Sequence, residues 1–148
     1  MRSLLAITVV VVSVLGCTSP KTDLDQRLSR GEYAMQIHYL EIVTKEVDAV
    51  CDVYAAANGL QFGDPDAGLG NARTAALPGG GLVGVRAPMH EAEEPVVRPY
   101  WLVDDIESAI ATAVAAGGEV AHPPLEIPGH GTFAIYIAGG VQHGLWQL

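Results

Sequence analysis

The residues of this sequence that could bind a ligand alternate with apolar residues, as the two faces of a β-strand require. Tyr39 and Glu41 lie at alternate positions of the segment IHYLEIV, so both face the same side of a strand. Arg98 and Tyr100 have the same spacing in VRPYWLV (97–103). The guanidinium group of Arg98 would bind a carboxylate or a phosphate, and the ring of Tyr100 would stack against a flat ligand. These side chains predict a binding surface for a small anionic or aromatic molecule.

The last segment of the chain, VQHGLWQ (141–147), extends this surface. Gln142 and Trp146 face the same side of a strand if Leu145 packs on the opposite side. Trp146 would then form a second stacking wall. The alternative for Trp146 and Tyr100 is that both rings pack in the protein core.

Two residues are candidates for proton transfer. His130 lies between two glycines in a loop that precedes a strand, and glycines permit a loop to move and to approach a ligand closely. Glu41 is the candidate base, with the alternative that it is the ion-pair partner of Arg98. His90 and His122 lie near prolines in connecting segments, where we expect solvated side chains.

The elements that position these residues occur twice. Residues 39–59 and 98–118 show the same order of strand, turn, helix and terminal glycine, at a constant offset of 59 residues. Each copy continues into strands joined by a hairpin, which gives two βαβββ modules, 36–88 and 96–148. Hairpins exclude a parallel doubly wound sheet. The sequence predicts an α+β fold in which two βαβββ modules form curved, mostly antiparallel sheets around a shared concavity, with the helices outside.

The boundaries of the predicted elements follow from hydrophobic period and turn residues. Module one has strands and a helix that opens at Thr44 and ends at Asn58, before Gly59. Module two has a helix that Asp104 and Asp105 cap and that ends at Ala116. The predicted strands are 37–43, 60–63, 72–77 and 82–87 in module one, and 97–103, 119–122, 133–137 and 141–147 in module two.

Composition limits the partners of the chain. The 148 residues carry a formal net charge of −9. Nucleic acid is excluded as a partner because phosphate contacts need a basic patch, and the arginines of the modules are dispersed. There are two cysteines. Cys51 lies among apolar neighbours in the first helix, which predicts a buried, inert thiol.

The first 35 residues have the features of a targeting sequence followed by a flexible tether. Residues 1–16 have a positive start and an apolar run too short to span a bilayer, as in a signal peptide. The ending at Gly16 and Cys17 resembles a bacterial lipobox, which implies lipidation of Cys17, a flexible tether over 17–35, and a lipoprotein in the cell envelope that contacts the membrane through its lipid anchor only. If translation starts at Met35, the protein is cytoplasmic instead.

The paired modules resemble the vicinal oxygen chelate superfamily, which contains glyoxalase I, bleomycin-resistance proteins and extradiol dioxygenases. The resemblance covers about residues 36–148 and lies in VDA (47–49), LVDDIESA (102–109) and GLWQ (144–147). The GLWQ ending and the loop 123–131 resemble the glyoxalase-like subgroup. The resemblance implies a cavity that binds a small molecule, and a homodimer as one assembly.

In the metalloenzymes of this superfamily, His or Glu ligands come from the first and last strand of each module. The equivalent positions here are Tyr39, Arg98, Val85 and Gly144, which are poor ligands for a divalent cation. This departure from the family's ligand pattern favours a small-molecule-binding protein with no cofactor. One alternative is a lyase, isomerase or dioxygenase whose metal ion is held in a shifted register by His38, Glu41 and His143. Another is an interaction lipoprotein with a filled cavity.

Overall fold

The helices and strands form two similar sets along residues 35–148, which are the residues that the computed structural model describes. The predicted signal peptide, Cys17 and the tether up to residue 34 lie outside the described residues. The first set contains β1 (Ile37–Val43), α1 (Val47–Asn58), β2 (Pro65–Asp66), a 3₁₀ turn (Ala67–Leu69), β3 (Ala72–Ala76) and β4 (Leu82–Arg86). The second contains β5 (Val96–Leu102), α2 (Ile106–Ala115), β6 (Glu119–Ile127), β7 (Gly131–Ala138) and β8 (Val141–Gln147).

All eight strands belong to one curved sheet in the order β2-β3-β4-β1-β5-β8-β7-β6. Within each set the first strand is parallel to the last, and all other neighbours are antiparallel. The two sets meet at the antiparallel pair of β1 and β5. The predicted α+β fold of two βαβββ modules is therefore confirmed. Among the described residues, no helix has the length and apolar character that a membrane span requires.

The helices cover one face of the sheet. In module one, Ile42, Val83 and Val85 pack with Cys51 of α1, which is 1% exposed. In module two, Ile106 and Ile110 of α2 form a cluster with residues of β7 and β8, namely Ala134 and Leu145. Burial of these apolar side chains is the main force that fixes the helices on the sheet. It also leaves the alternate residues of β1, β5 and β8 on the opposite, concave face.

The helix ends follow local sequence. Asp105 precedes α2, and its carboxylate accepts a hydrogen bond from the backbone N–H of Ser108 at 3.0 Å. Gly59 ends α1 in the left-handed conformation, with φ of 66°. Helix α1 begins at Val47, later than the predicted opening at Thr44, because the hydroxyl of Thr44 accepts the N–H of Glu46 in a local turn.

Two strand predictions were wrong: one predicted strand is absent, and another is longer than predicted. Residues 60–63 are not a strand. Leu60 packs in the α1 cluster, and Gly63 joins β3 only through a hydrogen bond from its N–H to the carbonyl of Thr74, while its own carbonyl accepts a hydrogen bond from Nε of Arg73. The short strand β2 takes this place two residues later. Strand β6 does not end at His122 but continues to Ile127 through Pro123 and Pro124. It is the last strand of the sheet, where a missing N–H leaves no partner unsatisfied.

Candidate functional site

The concave face of the sheet forms a cavity of about 470 Å³. This volume lies within the range of about 300–1,000 Å³ that is usual for small-molecule sites. Its wall is mainly apolar, with contributions from both modules. The apolar lining residues are Tyr39, Leu69, Met89, Tyr100, Ala121, Leu125, Ile127, Phe133, Ile135 and Trp146.

The centre of the cavity is the meeting point of β1 and β5. Their antiparallel register places Tyr39 opposite Tyr100 and Glu41 opposite Arg98. All four side chains line the cavity and are between 3% and 6% exposed. The alternation of residues predicted this placement correctly. The roles of Tyr39, Arg98 and Tyr100 in ligand binding stay predictions.

Strand β8 adds two further residues to the wall. Gln142 and Trp146 line the cavity, as the alternation predicts. Trp146 is 3% exposed, and its ring lies 5.7 Å from the ring of Tyr100 in an edge-to-face arrangement. Both rings belong to a buried cluster and face the cavity. Both rings therefore pack in the core and also line the cavity, so the two alternatives do not exclude each other.

Glu41 lies between two guanidinium groups. One carboxylate oxygen accepts Nε of Arg86 at 2.7 Å, and the other accepts Nη1 of Arg98. The hydroxyl of Tyr100 donates to that second oxygen at 3.1 Å. Because both oxygens accept charge-assisted hydrogen bonds, the carboxylate is held in place as the hub of a buried ion-pair network. The predicted ion pair of Glu41 with Arg98 is present.

The second carboxylate of this network comes from the segment between β4 and β5. Glu93 accepts both terminal nitrogens of Arg86, at 2.9 and 2.7 Å, in a bidentate pair. The backbone N–H of Met89 also donates to Glu93, at 2.7 Å. The hydrogen bonds with Arg86, together with that from Met89, lower the pKa of Glu93 to about 2. The two arginines and two glutamates of the cavity therefore balance in formal charge.

Two tyrosine hydroxyl groups are neutral in this setting. Burial, together with the negative charge of Glu41, raises the pKa of Tyr39 and of Tyr100 well above the usual range. The hydroxyl of Tyr100 is hydrogen-bonded within the network. The hydroxyl of Tyr39 is buried and has no hydrogen-bond partner among the described residues. A buried polar group without a partner is unfavourable, so the hydroxyl of Tyr39, which packs on Gly84, differs from the other polar groups of the wall.

His130 is not part of the cavity wall. Its ring nitrogen Nε2 lies 3.2 Å from a carboxylate oxygen of Asp66, and its backbone carbonyl accepts the indole N–H of Trp146 at 3.1 Å. His130 therefore holds the indole of Trp146 through its backbone carbonyl, while its ring contacts Asp66. The ring is absent from the cavity wall, and the proton-transfer role of His130 stays a prediction.

The structure does not bring together the alternative ligand set of His38, Glu41 and His143. Gln142 and Gly144 occupy the concave face of β8, so His143 faces the other side, where its ring stacks on Tyr136 at 5.0 Å. His38 lies at a register shift in β1 and packs 5.5 Å from Trp146, outside the cavity wall. Burial lowers its pKa.

The cavity residues do not fit the divalent metal ion of the superfamily. Across residues 35–148, no three His, Cys, Asp or Glu side chains converge on one point. Glu41 is flanked by the positive charges of Arg86 and Arg98, which repel a cation. The predicted last-strand position was also wrong by one residue in module one, since Val85 packs against α1 and Gly84 takes the cavity side of β4, beneath the ring of Tyr39.

Sequence reasoning missed three polar residues of the wall: Arg86, Glu93 and His122. Arg86 could have been found by alternation along β4. His122 belongs to β6, and its ring lies 4.6 Å from that of Phe133. Glu93 carries no such signal, because one acidic residue among several in a linker gives no indication of which one turns inward.

Comparisons with known proteins identify the fold. No family model matches the chain, and no curated protein matches it. Solved structures do match. A hypothetical protein from Bacillus halodurans C-125 superposes with a TM-score of 0.62 at 15% identity, over 78% of this chain and 96% of that one. A methylmalonyl-CoA epimerase from Mycobacterium tuberculosis gives 0.61 at 16% identity, over 80% and 94%.

A third similar structure is the Mn(II)-bound glyoxalase from Novosphingobium aromaticivorans. It superposes with a TM-score of 0.59 at 24% identity, over 76% of this chain but 38% of that one, so this chain spans less than half of that glyoxalase. Identities this low establish the fold alone. The chain has the vicinal oxygen chelate fold that glyoxalases and methylmalonyl-CoA epimerases share.

Proposed function

We propose that this protein binds a small molecule in the cavity and does so without a resident metal ion. The observation that carries the proposal is the position of Glu41 between the guanidinium groups of Arg86 and Arg98, at the centre of a mainly apolar cavity. Where the metalloenzymes of the fold need several free anionic or imidazole ligands, this chain has a carboxylate already occupied by two cations. The wall around it suits a ligand of small-molecule size.

The alternative function is that of a metal-dependent lyase, isomerase or dioxygenase. The Mn(II) in the similar glyoxalase belongs to that protein and gives this alternative its basis. The donor set of this chain counts against it, because His38 and His143 lie outside the cavity wall. Bleomycin binding, as in other proteins of this fold, is one instance of the small-molecule function and has no specific support from the cavity residues.

Metal analysis of the full-length protein, purified without chelators and without a metal-affinity tag, decides between the two functions. We expect a folded protein with far less than one equivalent of metal. About one equivalent of Fe, Mn, Ni or Zn, retained on dialysis, would contradict the proposal, since structural and catalytic sites bind these ions tightly.

A thermal-shift screen with a library of small molecules tests the binding itself. A ligand that binds the native state raises the unfolding temperature. Ala121 lines the cavity, and Ala121→Trp would fill part of it. Val120, an exposed neighbour on the same strand, supplies the matched control Val120→Trp. We expect Ala121→Trp to abolish the shifts and Val120→Trp to preserve them. A library with no stabilising compound would favour the filled-cavity alternative.

Two further proposals rest on the sequence and the resemblance. We propose that the protein is anchored in the cell envelope by a lipid on Cys17. Labelling of growing cells with an alkyne fatty acid should mark the wild type and not Cys17→Ser; equal labelling would contradict it, and a cytosolic, unlabelled wild type would support the start at Met35.

A homodimer is the second proposal, and light scattering coupled to size-exclusion chromatography measures it.

A further inference from the structure

We propose that Glu93 makes the cavity select uncharged, flat ligands over anionic ones, because its carboxylate occupies the place on Arg86 that a ligand carboxylate would take. This inference rests on the proposed small-molecule function and specifies the ligand class. It replaces the anionic ligand that Arg98 alone predicts from the sequence.

The pair of Arg86 and Glu93 has the geometry of a bound carboxylate. Nη1 and Nη2 of Arg86 each donate to a different oxygen of Glu93, at 2.9 and 2.7 Å, which is the fork-to-fork arrangement that arginine uses to bind carboxylate ligands. Nη1 donates as well to the backbone carbonyl of Ala87, and Nε donates to Glu41. Each nitrogen of this guanidinium group is therefore engaged by the protein.

Glu93 is fixed by its own segment of chain. Its carboxylate accepts the backbone N–H of Met89, and its own N–H donates to the carbonyl of His90 at 3.0 Å. These bonds close a turn that directs one acidic side chain of the segment into the cavity, while Glu91 and Glu94 are exposed. The carboxylate is thus built into the wall and does not depend on a ligand to hold it there.

The other guanidinium group is engaged as well. Nε and Nη2 of Arg98 donate to the side-chain carbonyl of Gln142, and Nη1 donates to Glu41 and to the hydroxyl of Tyr100. With two arginines and two glutamates, the formal charge of the network is already balanced. An entering anion would have to displace a protein carboxylate or remain without a charged partner beside a network in which Glu41, Arg86 and Arg98 are only 4–6% exposed, which is unfavourable. An uncharged ligand meets neither cost.

The rest of the wall favours a flat ligand with a polar group. Phe133 and Trp146 lie 6.4 Å apart with their planes 31° from parallel, and His122 lies 4.6 Å from Phe133. Aromatic side chains in such an arc stack with planar molecules. Tyr39 brings a buried hydroxyl that lacks a partner among the described residues and can accept or donate one hydrogen bond. A ligand carbonyl or amide would satisfy it once the ring of Tyr39 turns away from Gly84, against which the hydroxyl packs.

A pair of probes that differ in charge but not in shape tests the inference. Naphthalene carboxamide and naphthalene carboxylate are titrated into the full-length protein at pH 7, with calorimetry as the readout. We expect the amide to bind at least about tenfold more tightly than the carboxylate, the size of effect that an unpaired charge produces. Glu93→Gln should tighten carboxylate binding by about tenfold and reverse or remove the preference.

The control is Glu94→Gln, which makes the same change in net charge on an exposed neighbour. It should leave the ratio of the two affinities within about twofold of the wild type, since exposed charges are screened. Tyr39→Phe should weaken the amide by several-fold, with less effect on a hydrocarbon such as naphthalene. Circular dichroism of each variant establishes that it is folded.

Three results would overturn the inference: tighter binding of the carboxylate by the wild type, an unchanged ratio in folded Glu93→Gln, or binding of neither probe. The first needs no variant, so it decides the question even if Glu93→Gln fails to fold. The broader proposal fails separately, when no compound of the library binds in the cavity. Library compounds that bind while the carboxylate is preferred would leave small-molecule binding standing and refute the role of Glu93.

Discussion

Removal of the charge on Glu41 is expected to destabilise the fold more than removal of any exposed carboxylate. Glu41 is 6% exposed, as is Arg98, and Arg86 is 4% exposed. Glu41→Gln keeps the size of the side chain but leaves the network with two positive charges and one negative charge. The carbonyl of the glutamine can accept at most part of the hydrogen bonds that Arg86, Arg98 and Tyr100 now donate.

The size of the effect follows from the buried position. Loss of one partner from a buried ion pair costs about 3–5 kcal/mol, mainly because the remaining charge is left without compensation. Arg86 keeps Glu93 and Arg98 keeps Gln142 after the change, so we expect the lower end of that range, about 3 kcal/mol. Arg98→Gln alone leaves the network with one excess negative charge, and adding Glu41→Gln balances it again. In that background Glu41→Gln should therefore cost about 1–2 kcal/mol less, a coupling typical of residues in direct contact.

Urea unfolding at pH 7, followed by tryptophan fluorescence, measures these differences. The matched control is Asp48→Asn, which breaks an ion pair with Arg73 on a side chain that is 86% exposed, and it should cost less than about 1 kcal/mol. If Glu41→Gln loses no more stability than Asp48→Asn, the buried ion-pair network does not contribute to the stability of the fold as expected. Equal losses for Glu41→Gln in both backgrounds would refute the coupling with Arg98.

Three further predictions concern other parts of the fold. The pKa of Glu93 in the folded protein is about 2 against an ordinary value of 4.5, so its contribution to stability is present above pH 4.5 and is lost as the pH falls toward 2. Glu93→Gln should therefore flatten the pH dependence of the free energy of unfolding between these two values. An unchanged pH dependence would contradict the pair with Arg86. Asp105→Ala removes the cap of α2 and should cost about 1 kcal/mol in urea unfolding, whereas Asp105→Asn should cost little. Gly84→Ala places a methyl group where the Tyr39 ring lies and should lower the free energy of unfolding by about 1–3 kcal/mol. In the double variant Gly84→Ala/Tyr39→Ala the loss should be smaller than the sum of the two single losses. A loss equal to that sum would show that the ring and the methyl group do not meet.

Alternation along strands was sufficient to predict the centre of the cavity. It placed Tyr39, Glu41, Arg98 and Tyr100 on one face because the pleat of a strand leaves no other option once the apolar residues pack on the helices. Gln142 and Trp146 followed by the same rule. The rule needs no knowledge of which strands are neighbours, which is why it worked on the sequence alone.

The charges of the cavity depended on long-range contacts that alternation does not describe. Arg86 meets Glu41 across 45 residues of sequence, and Arg98 meets it across 57. Glu93 enters from a connecting segment whose course is set by a turn at Met89 and His90. A sequence pattern indicates that such a segment is acidic but not which carboxylate turns inward. The sequence offered Glu41 as the partner of Arg98, but the anionic ligand was inferred without Glu93, the second carboxylate of the network.

The duplication explains both the accuracy and the single-residue error in the last strands. Tyr39 and Arg98 are related by the offset of 59 residues, but the registers pair Glu41 with Gly84 and Tyr100 with Gly144, so β4 and β8 are related by an offset of 60. The hairpins differ in length: residues 77–81 join β3 to β4, and residues 139–140 join β7 to β8. Counting from a hairpin glycine therefore cannot give equivalent positions in both modules.

The same comparison shows why a repeated backbone does not imply a repeated site. The offset places Glu41 where module two has Tyr100, and Tyr39 where module two has Arg98. A metal site of the superfamily draws ligands from both modules. Here one pair of equivalent positions holds the carboxylate of Glu41 and the phenol of Tyr100. The other pair holds the phenol of Tyr39 and the guanidinium group of Arg98. The cross-strand register then sets Glu41 against Arg98 and Tyr39 against Tyr100. Opposite charges are paired and two neutral rings remain, and this arrangement is the basis of the proposal that the ligand is uncharged and flat.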